Sequence, residues 1–230
     1  QNIYLYAFYN IPFTSFILTT SIITLTGFIL ILLTGFISIP HQICELNIVA
    51  PNIQWKKFLL YMLIMINALL CVLRIIDPYY ALGITLILSM IYGRHLFKRV
   101  DYTLLLTFVC FFIFTGNISK ITWISDYISQ GLSTHLTVYF TALLTSQFIS
   151  NVPAAVLLST FTSSDYWQPL LQGVNVGALG SIIGSLASLI SFKYILREYP
   201  KKTSSYLLRY TLISLGFMIV ITLATLLIRL

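Results

Sequence analysis

The sequence predicts an all-α protein that crosses a membrane several times. Of its 230 residues, 58% are hydrophobic and only 8% are charged, whereas soluble domains carry about 25% charged residues. The apolar residues form long runs, several of them near the roughly 20 residues that a helix needs to cross a hydrocarbon core. Lys and Arg outnumber Asp and Glu by 13 to 6, and most lie in short gaps between these runs. This pattern is typical of membrane topology signals and not of nucleic-acid binding.

The first half of the chain contains three predicted spans. Ile11 to Ser38 is uncharged and long enough to cross the membrane with tilt. A polar stretch follows, and we assign residues 39–57 to a cytoplasmic linker. Two apolar runs, Phe58 to Leu73 and Tyr79 to Tyr92, are separated by "RIIDPYY". Because Pro78 and the charges beside it favour a turn, these runs should form a helical hairpin.

Basic loops predict the orientation of the remaining segments. Gly93 to Asp101, "GRHLFKRVD", and Lys193 to Lys202 should both face the cytoplasm. Tyr102 to Thr115 then crosses outward, and "GNISKITWISDYISQG" should form an interfacial helix at the outer surface. Thr203 to Ile228 is the last outward span. These assignments require Leu136 to Phe161 to enter and leave the membrane from the same outer face, as a re-entrant hairpin.

Two apolar segments are interrupted by small and polar residues. The predicted re-entrant hairpin, about residues 134–162, contains "SNVP", and a predicted broken helix, about residues 166–195, contains "GALGSIIGS". Because Pro153 lacks an N–H and disfavours helix at the preceding residue, we expect the hairpin tip at Ile149 to Val152 and a new helix from Pro153. Non-helical backbone at membrane depth is tolerated only where it is buried in protein or lines a cavity. The two interruptions therefore predict a binding site.

The chemistry of the tip suits small ions. Ser150 and Asn151 should lie at a helix N-terminus, whose N–H groups favour an anion, while the carbonyls that end the preceding half-helix favour a cation. A simple helix cap would also explain "SNVP". The second interruption favours the binding site, because close packing of helices accounts for its glycines but not for Asn175, Ser181 and Ser185. It lacks the Lys of a phosphate-binding loop.

These motifs resemble a known family. "SQFISNVPAAVLL" and "VNVGALGSIIGSLASLIS" resemble the second inverted repeat of the ion transporter superfamily, which includes arsenical pumps, sodium/proton antiporters and divalent-anion/sodium symporters. Uncharacterised bacterial anion permeases are the most similar members. The opening "QNIYLY" resembles the end of the Gly-Asn-Pro-Gln-Asn break of the first repeat. The resemblance implies that residues 1–38 end the first repeat, that residues 58–230 form the second, and that the first hairpin lies upstream.

The resemblance also implies roles for individual residues. The residues expected to face the substrate are Ser150, Asn151, Val152 and Ser185. A sodium or proton site is expected from Ser146, Asn151 and the backbones of Ile149 and Gly184. Supporting positions are Pro153, Asn175, Gly177, Gly180 and Ser181. Val152 stands where the dicarboxylate carriers have the Thr of a Ser-Asn-Thr tip, so the resemblance does not identify the substrate.

The expected function is secondary active transport of a small anion or oxyanion, coupled to sodium or protons, in a bacterial inner membrane. We expect no cofactor apart from sodium as a candidate coupling ion, no nucleic-acid partner, and a homodimer as a candidate assembly. A sodium/proton antiporter is the first alternative. It would require a buried carboxylate, and none of the six acidic residues lies in a predicted span.

An intramembrane enzyme and a non-transporting membrane subunit are further alternatives. An enzyme would need a nucleophile with a base in reach or a metal cluster, and the sequence has no G-x-S-x-G elbow. His135 precedes Ser150 by fifteen residues, roughly 22 Å along a helix. The three cysteines and three histidines lack metal-ligand spacing, so we interpret them as structural. We therefore predict that the protein is not an enzyme.

Overall fold

The computed structural model describes residues 1–38, 54–98 and 100–228, and every regular element in these ranges is helical. The α-helices are α1 (Asn2–Phe8), α2 (Phe13–Ser38), α3 (Trp55–Val72), α4 (Pro78–Tyr92), α5 (Arg94–Phe97), α6 (Tyr102–Ile118), α7 (Thr122–Gly131), α8 (His135–Ile149), α9 (Asn151–Ser159), α10 (Trp167–Val176), α11 (Leu186–Glu198) and α12 (Thr203–Leu227). Two short 3₁₀ turns, Ser164–Tyr166 and Pro200–Lys202, precede α10 and α12. The predicted all-α fold is confirmed.

Three helical segments in the described ranges are long and apolar enough to cross a membrane: Phe13–Ile37, Trp55–Val72 and Pro200–Leu227. A fourth span arises if α6 and α7, which are bent by 96° at a short break, are counted together. The bend lies where the sequence predicted a change from a span to an interfacial helix. Most large apolar side chains of α2 and α12 are exposed, as expected of helices surrounded by lipid. The protein is therefore a polytopic membrane protein.

The predicted cytoplasmic linker lies largely outside the described residues, which resume at Gln54. Helix α3 begins at Trp55, three residues before the predicted start, because the predicted apolar run omitted two lysines that a helix accommodates in its first turn.

The chain divides into two units, Gln1–Ile39 with Thr107–Leu230 (the larger unit) and Pro40–Leu106 (the smaller unit). In the smaller unit α3 and α4 pack against each other. The buried amide of Asn67 on α3 donates hydrogen bonds to the Ala81 carbonyl (2.8 Å) and the Thr85 hydroxyl (3.0 Å) on α4. The Asp77 carboxylate caps α4 by accepting from the Tyr79 N–H at 2.9 Å, and Pro78 occupies the first turn, where its missing N–H costs no hydrogen bond. This is the helical hairpin that the sequence predicted.

The core of the larger unit lies among α1, α8, α9 and α10. Leu5, Val138, Leu158 and Leu170 are buried there, one from each helix. A second cluster, formed by Tyr139, Leu143, Val176 and Ile221, joins α8 and α10 to α12 and is flanked by Ile23 and Leu30 of α2. Since α8, α9 and α10 are short and surrounded by other helices, they are the part of the unit that is least exposed to its surroundings.

Glycines allow α10 to lie against α8. A Cβ atom at Gly177 would fall 2.7 Å from both the Leu143 carbonyl oxygen and the Ser146 Cβ atom. At Gly173, one turn earlier, a Cβ atom would overlap the Tyr139 carbonyl and the Ala142 side chain. Small residues four apart are a common means of close helix approach in membranes. Gly177, predicted as a supporting site residue, thus has a packing role.

A candidate binding site at two helix breaks

The first break is a single residue, Ser150, between α8 and α9. Its backbone angles are φ 73° and ψ 155°, a combination that glycine adopts readily and that costs other residues about 1–3 kcal/mol. The Ser150 N–H donates to the Ser146 carbonyl (3.1 Å), and the Ser150 carbonyl accepts from the Ala154 N–H (3.0 Å). The chain thus passes from one helix into the next with both groups of this residue hydrogen-bonded.

The predicted helix start at Pro153 is wrong by two residues, because α9 begins at Asn151. Pro153 is the third residue of α9, and the N–H groups of a first helical turn have no partner within the helix. The missing N–H of proline is therefore tolerated at this position, and Val152 is helical despite the proline that follows it. Both Val152 and Pro153 are half-buried.

The second break extends from Gly177 to Ser185, between α10 and α11. Gly180 has φ 95°, a left-handed conformation that a glycine allows without strain. The Ser181 hydroxyl accepts from the Gly184 N–H (3.1 Å), and the Ser185 hydroxyl caps α11 by accepting from the Ala187 N–H (3.3 Å). Ser185, predicted to face the substrate, is half-buried and is used as a cap.

The two breaks are in contact. The Asn151 N–H donates to the Gly184 carbonyl at 3.0 Å, so the first residue of α9 is joined directly to the second break. The carbonyl ends of α8 and α10 and the amide ends of α9 and α11 border these two breaks. One location therefore combines the helix ends that favour anions with those that favour cations.

Gln147 connects the second break to α8 through hydrogen bonds. It was not among the predicted site residues. Its side-chain Nε2 donates to the carbonyls of Gly177 and Leu179, both at 2.7 Å, and its Oε1 accepts from the Ser181 N–H at 2.9 Å. The Gln147 carbonyl also accepts from the Ser181 hydroxyl at 3.3 Å. Ser214 of α12 accepts from the Gly180 N–H at 2.9 Å. Side chains thus provide the hydrogen bonds that a helix would have supplied.

The side chains at the tip remain free to bind. Asn151 is only 6% exposed, and within the described part of the chain its side-chain amide makes no hydrogen bond. Ser150 is half-buried, and its hydroxyl does not cap α9. Buried polar groups nearly always have a partner. In the described part of the chain the one fully buried side-chain atom without a partner is Gln172 Nε2, so the Asn151 amide, which also lacks a partner, still reaches solvent and is available to a ligand.

Other predicted ion ligands are already engaged. Ser146 is fully buried, and its hydroxyl donates to the Ala142 carbonyl at 2.8 Å. The Gly184 carbonyl accepts from Asn151, which leaves it one further lone pair. Ile149 is half-buried and packs against the core of the larger unit. The structure thus places Asn151 and Gly184 together, whereas the Ser146 hydroxyl is held within its own helix.

Asn175 connects α10 to the start of the chain. Its Nδ2 donates to Asn2 Oδ1 and to the Leu171 carbonyl, both at 2.7 Å, and its Oδ1 accepts from Gln1 Nε2 at 3.3 Å. Gln1 and Asn2 are the two residues whose motif resembles the break of the first repeat. Asn175 is therefore a contact between α10 and the start of α1.

The fold and the paired breaks define a polytopic membrane protein with a polar site between interrupted helices. Comparison with known proteins adds the family: the family described as citrate transporter (CitMHS) matches residues 1–177, and the chain belongs to it. This confirms the predicted membership of the ion transporter superfamily.

Two curated relatives match most of the chain. It is 36% identical over 194 residues to the "Uncharacterized transporter MJ0456" of Methanocaldococcus jannaschii, covering 84% of this chain and 51% of that protein. It is 26% identical over 197 residues to the "Inner membrane protein YbiR" of Escherichia coli K12, covering 84% of this chain and 52% of that protein. The chain thus spans about half the length of these relatives. No solved structure matches it significantly.

Proposed function

We propose that the protein is a secondary active transporter that moves a small anion or oxyanion together with sodium or protons, and that it acts in the bacterial inner membrane. The observation that carries this proposal is the Asn151 amide, which belongs to a residue only 6% exposed, makes no side-chain hydrogen bond in the described part of the chain and lies at the contact between two helix breaks. The family description and the name of the Methanocaldococcus relative support transport, and the name of the Escherichia coli relative supports an inner-membrane location. Citrate, named in the family description, is the first substrate to test.

Asn151 can link the binding of two ligands. Its side chain offers a carbonyl oxygen to a cation and an NH₂ group to an anion. The nearby Gly184 carbonyl, with a free lone pair, is a second oxygen for the cation. A ligand that binds differently to the inward-facing and outward-facing states shifts their populations. If both ligands share Asn151, each raises the affinity for the other, and this reciprocity is the basis of coupled transport.

The described acidic residues favour anion transport over the sodium/proton antiporter. An antiporter needs a carboxylate that carries protons inside the membrane. All five acidic residues in the described part of the chain are exposed, namely Asp77, Asp101, Asp126, Asp165 and Glu198. The site itself has neutral amide, hydroxyl and backbone groups, which suit binding and give no support to an enzyme.

The test is flux through liposomes that contain the full-length protein. Uptake of radiolabelled citrate, sulfate and phosphate would be measured under an inward sodium gradient and, separately, under an inward proton gradient. Asn151→Ala should lower coupled uptake at least tenfold, because a hydrogen bond to a charged ligand is worth about 1.5–3 kcal/mol. Asn117→Ala, an exposed amide on α6, is the matched control and should retain the wild-type rate.

Asn151→Asp tests cation binding and anion binding separately. It keeps an oxygen for the cation and adds a negative charge, so stabilisation by sodium should persist in a thermal unfolding assay while anion uptake is lost. If Asn151→Ala and Asn151→Asp both transport at the wild-type rate, the tip is a helix cap and the proposed site is wrong.

A further inference from the structure

A long groove runs along one face of α12 in the larger unit. It has a volume of about 740 Å³. Among the lining residues of α12 and the turn before it, five are spaced three or four apart, which places them on one helical face: Lys202, Tyr206, Arg209, Ile213 and Phe217. The opposite walls come from α2 and α11. From Lys202 to Phe217 the groove extends about 22 Å at 1.5 Å per residue.

The lining changes from charged to apolar along the groove. Lys202 and Arg209 lie in the half of the groove nearer the start of α12, and no acidic residue is among the lining residues in the described part of the chain. Neither of these two residues forms an ion pair within the described part of the chain. Tyr199, Tyr206 and Tyr210 lie beside these two cations, and the far end is formed by aliphatic and aromatic side chains such as Ile31 and Phe217. A half with cations and amphipathic rings, followed by a half lined by hydrocarbon, matches a phospholipid with its phosphate in the first half and an acyl chain in the second.

We propose that this groove binds one anionic phospholipid, with its phosphate at Lys202 and Arg209 and an acyl chain along α12. The dimensions agree, because a bilayer about 40–45 Å thick including its headgroups has leaflets of about 20–22 Å, close to the length of the groove. The basic end lies at the predicted cytoplasmic face, where anionic lipids are attracted to Lys and Arg. Eight of the twelve lining residues are aliphatic or aromatic, which disfavours a hydrated anion as the occupant.

The inner end of the groove reaches the second helix break. Leu179 and Ser214 both line it. The Leu179 carbonyl accepts from Gln147, and the Ser214 hydroxyl accepts from the Gly180 N–H. A lipid in the groove therefore contacts residues that hold the break in place, and its binding should stabilise the folded protein.

The test is lipid-dependent thermal unfolding of the purified full-length protein in detergent. Dioleoylphosphatidylglycerol should raise the melting temperature more than dioleoylphosphatidylcholine does. The double variant Lys202→Gln/Arg209→Gln should bind phosphatidylglycerol about tenfold more weakly or worse, since each basic residue near the surface contributes about 1 kcal/mol to binding of anionic lipid. The matched control, Arg197→Gln/Lys201→Gln, removes two exposed charges of the same segment that do not line the groove, and it should keep the preference.

A second variant tests the acyl-chain position without a change in charge. Ile213→Trp fills the groove, so it should reduce the effect of phosphatidylglycerol, while any stabilisation by citrate or phosphate as substrates should be the same in this variant and in the unsubstituted protein. Equal stabilisation by both lipids, or an unchanged preference in Lys202→Gln/Arg209→Gln, would overturn the proposal. Stabilisation by free phosphate or citrate that is lost in Lys202→Gln/Arg209→Gln would also overturn it, because the groove would then be a path for soluble anions.

Discussion

Replacing Gln147 by methionine should destabilise the protein through the second helix break. Methionine has a similar length and no strong hydrogen-bonding group, so the change removes the two bonds to the Gly177 and Leu179 carbonyls and the bond from the Ser181 N–H. Each such bond contributes about 0.5–1.5 kcal/mol net, which gives a total loss of about 2–4 kcal/mol. Because all three groups belong to non-helical backbone, no helical hydrogen bond replaces those that are lost.

The same substitution at Gln172 should have no effect on the stability of the folded protein or should increase it. Gln172 lies on α10, is 5% exposed, and its Nε2 is buried without a hydrogen-bond partner in the described part of the chain. Removing an unpartnered buried donor recovers its desolvation cost, so Gln172→Met should be neutral or stabilise the protein by about 1 kcal/mol. The pair compares one chemical change at two positions of the larger unit.

Both variants can be measured by thermal unfolding of the full-length protein in one detergent. At roughly 2–4 °C per kcal/mol for a chain of 150–250 residues, Gln147→Met should lower the melting temperature by about 5–10 °C. Gln172→Met should leave it unchanged or raise it. Equal changes at the two positions would refute the reasoning, because they would show that the hydrogen bonds of Gln147 contribute no more than the loss of any buried glutamine.

Two further predictions concern the breaks. Ser150→Gly should raise the melting temperature, because glycine relieves about 1–3 kcal/mol of backbone strain, whereas Ser150→Ala retains the strain. Transport should fall in both variants if the Ser150 hydroxyl contacts the substrate. Wild-type flux in both variants would contradict that role. Gly177→Ala should destabilise the protein by about 1–3 kcal/mol, because the added methyl group overlaps α8. Gly216→Ala is the control, since a Cβ atom there meets nothing within 4 Å, and it should leave the melting temperature unchanged or raise it. Equal melting temperatures for the two variants would refute the packing argument.

Local signals made most of the helices predictable. The ends of α2 and α4 were placed within two residues, since uninterrupted apolar runs and the proline at residue 78 mark them clearly. The position of the first break was also predictable, because Ser-Asn-x-Pro interrupts an apolar run. The start of α9 was misplaced because a proline is compatible with any position of the first helical turn, and its presence does not show which one it occupies.

Gln147 could not be assigned from local pattern. Its partners lie 30 to 34 residues away, and its position in α8 fits an ordinary helix. The one available signal was its position near the end of α8, three residues before the break at Ser150. The contact of Asn175 with Gln1 and Asn2 is even more distant in sequence, and it depends on how α1 packs against α10.

Two unusual features occur at adjacent residues of the proposed site. Ser150 adopts a backbone conformation that favours glycine, and Asn151, only 6% exposed, has a side-chain amide that makes no hydrogen bond in the described part of the chain. Gln172 also has an unpartnered side-chain nitrogen, but that atom is fully buried and its backbone is ordinary helix. The backbone strain at Ser150 costs stability, and strain of this kind is concentrated at functional sites. Because the two coincide where both helix breaks meet, a ligand at Asn151 explains them better than a helix cap, which would need neither.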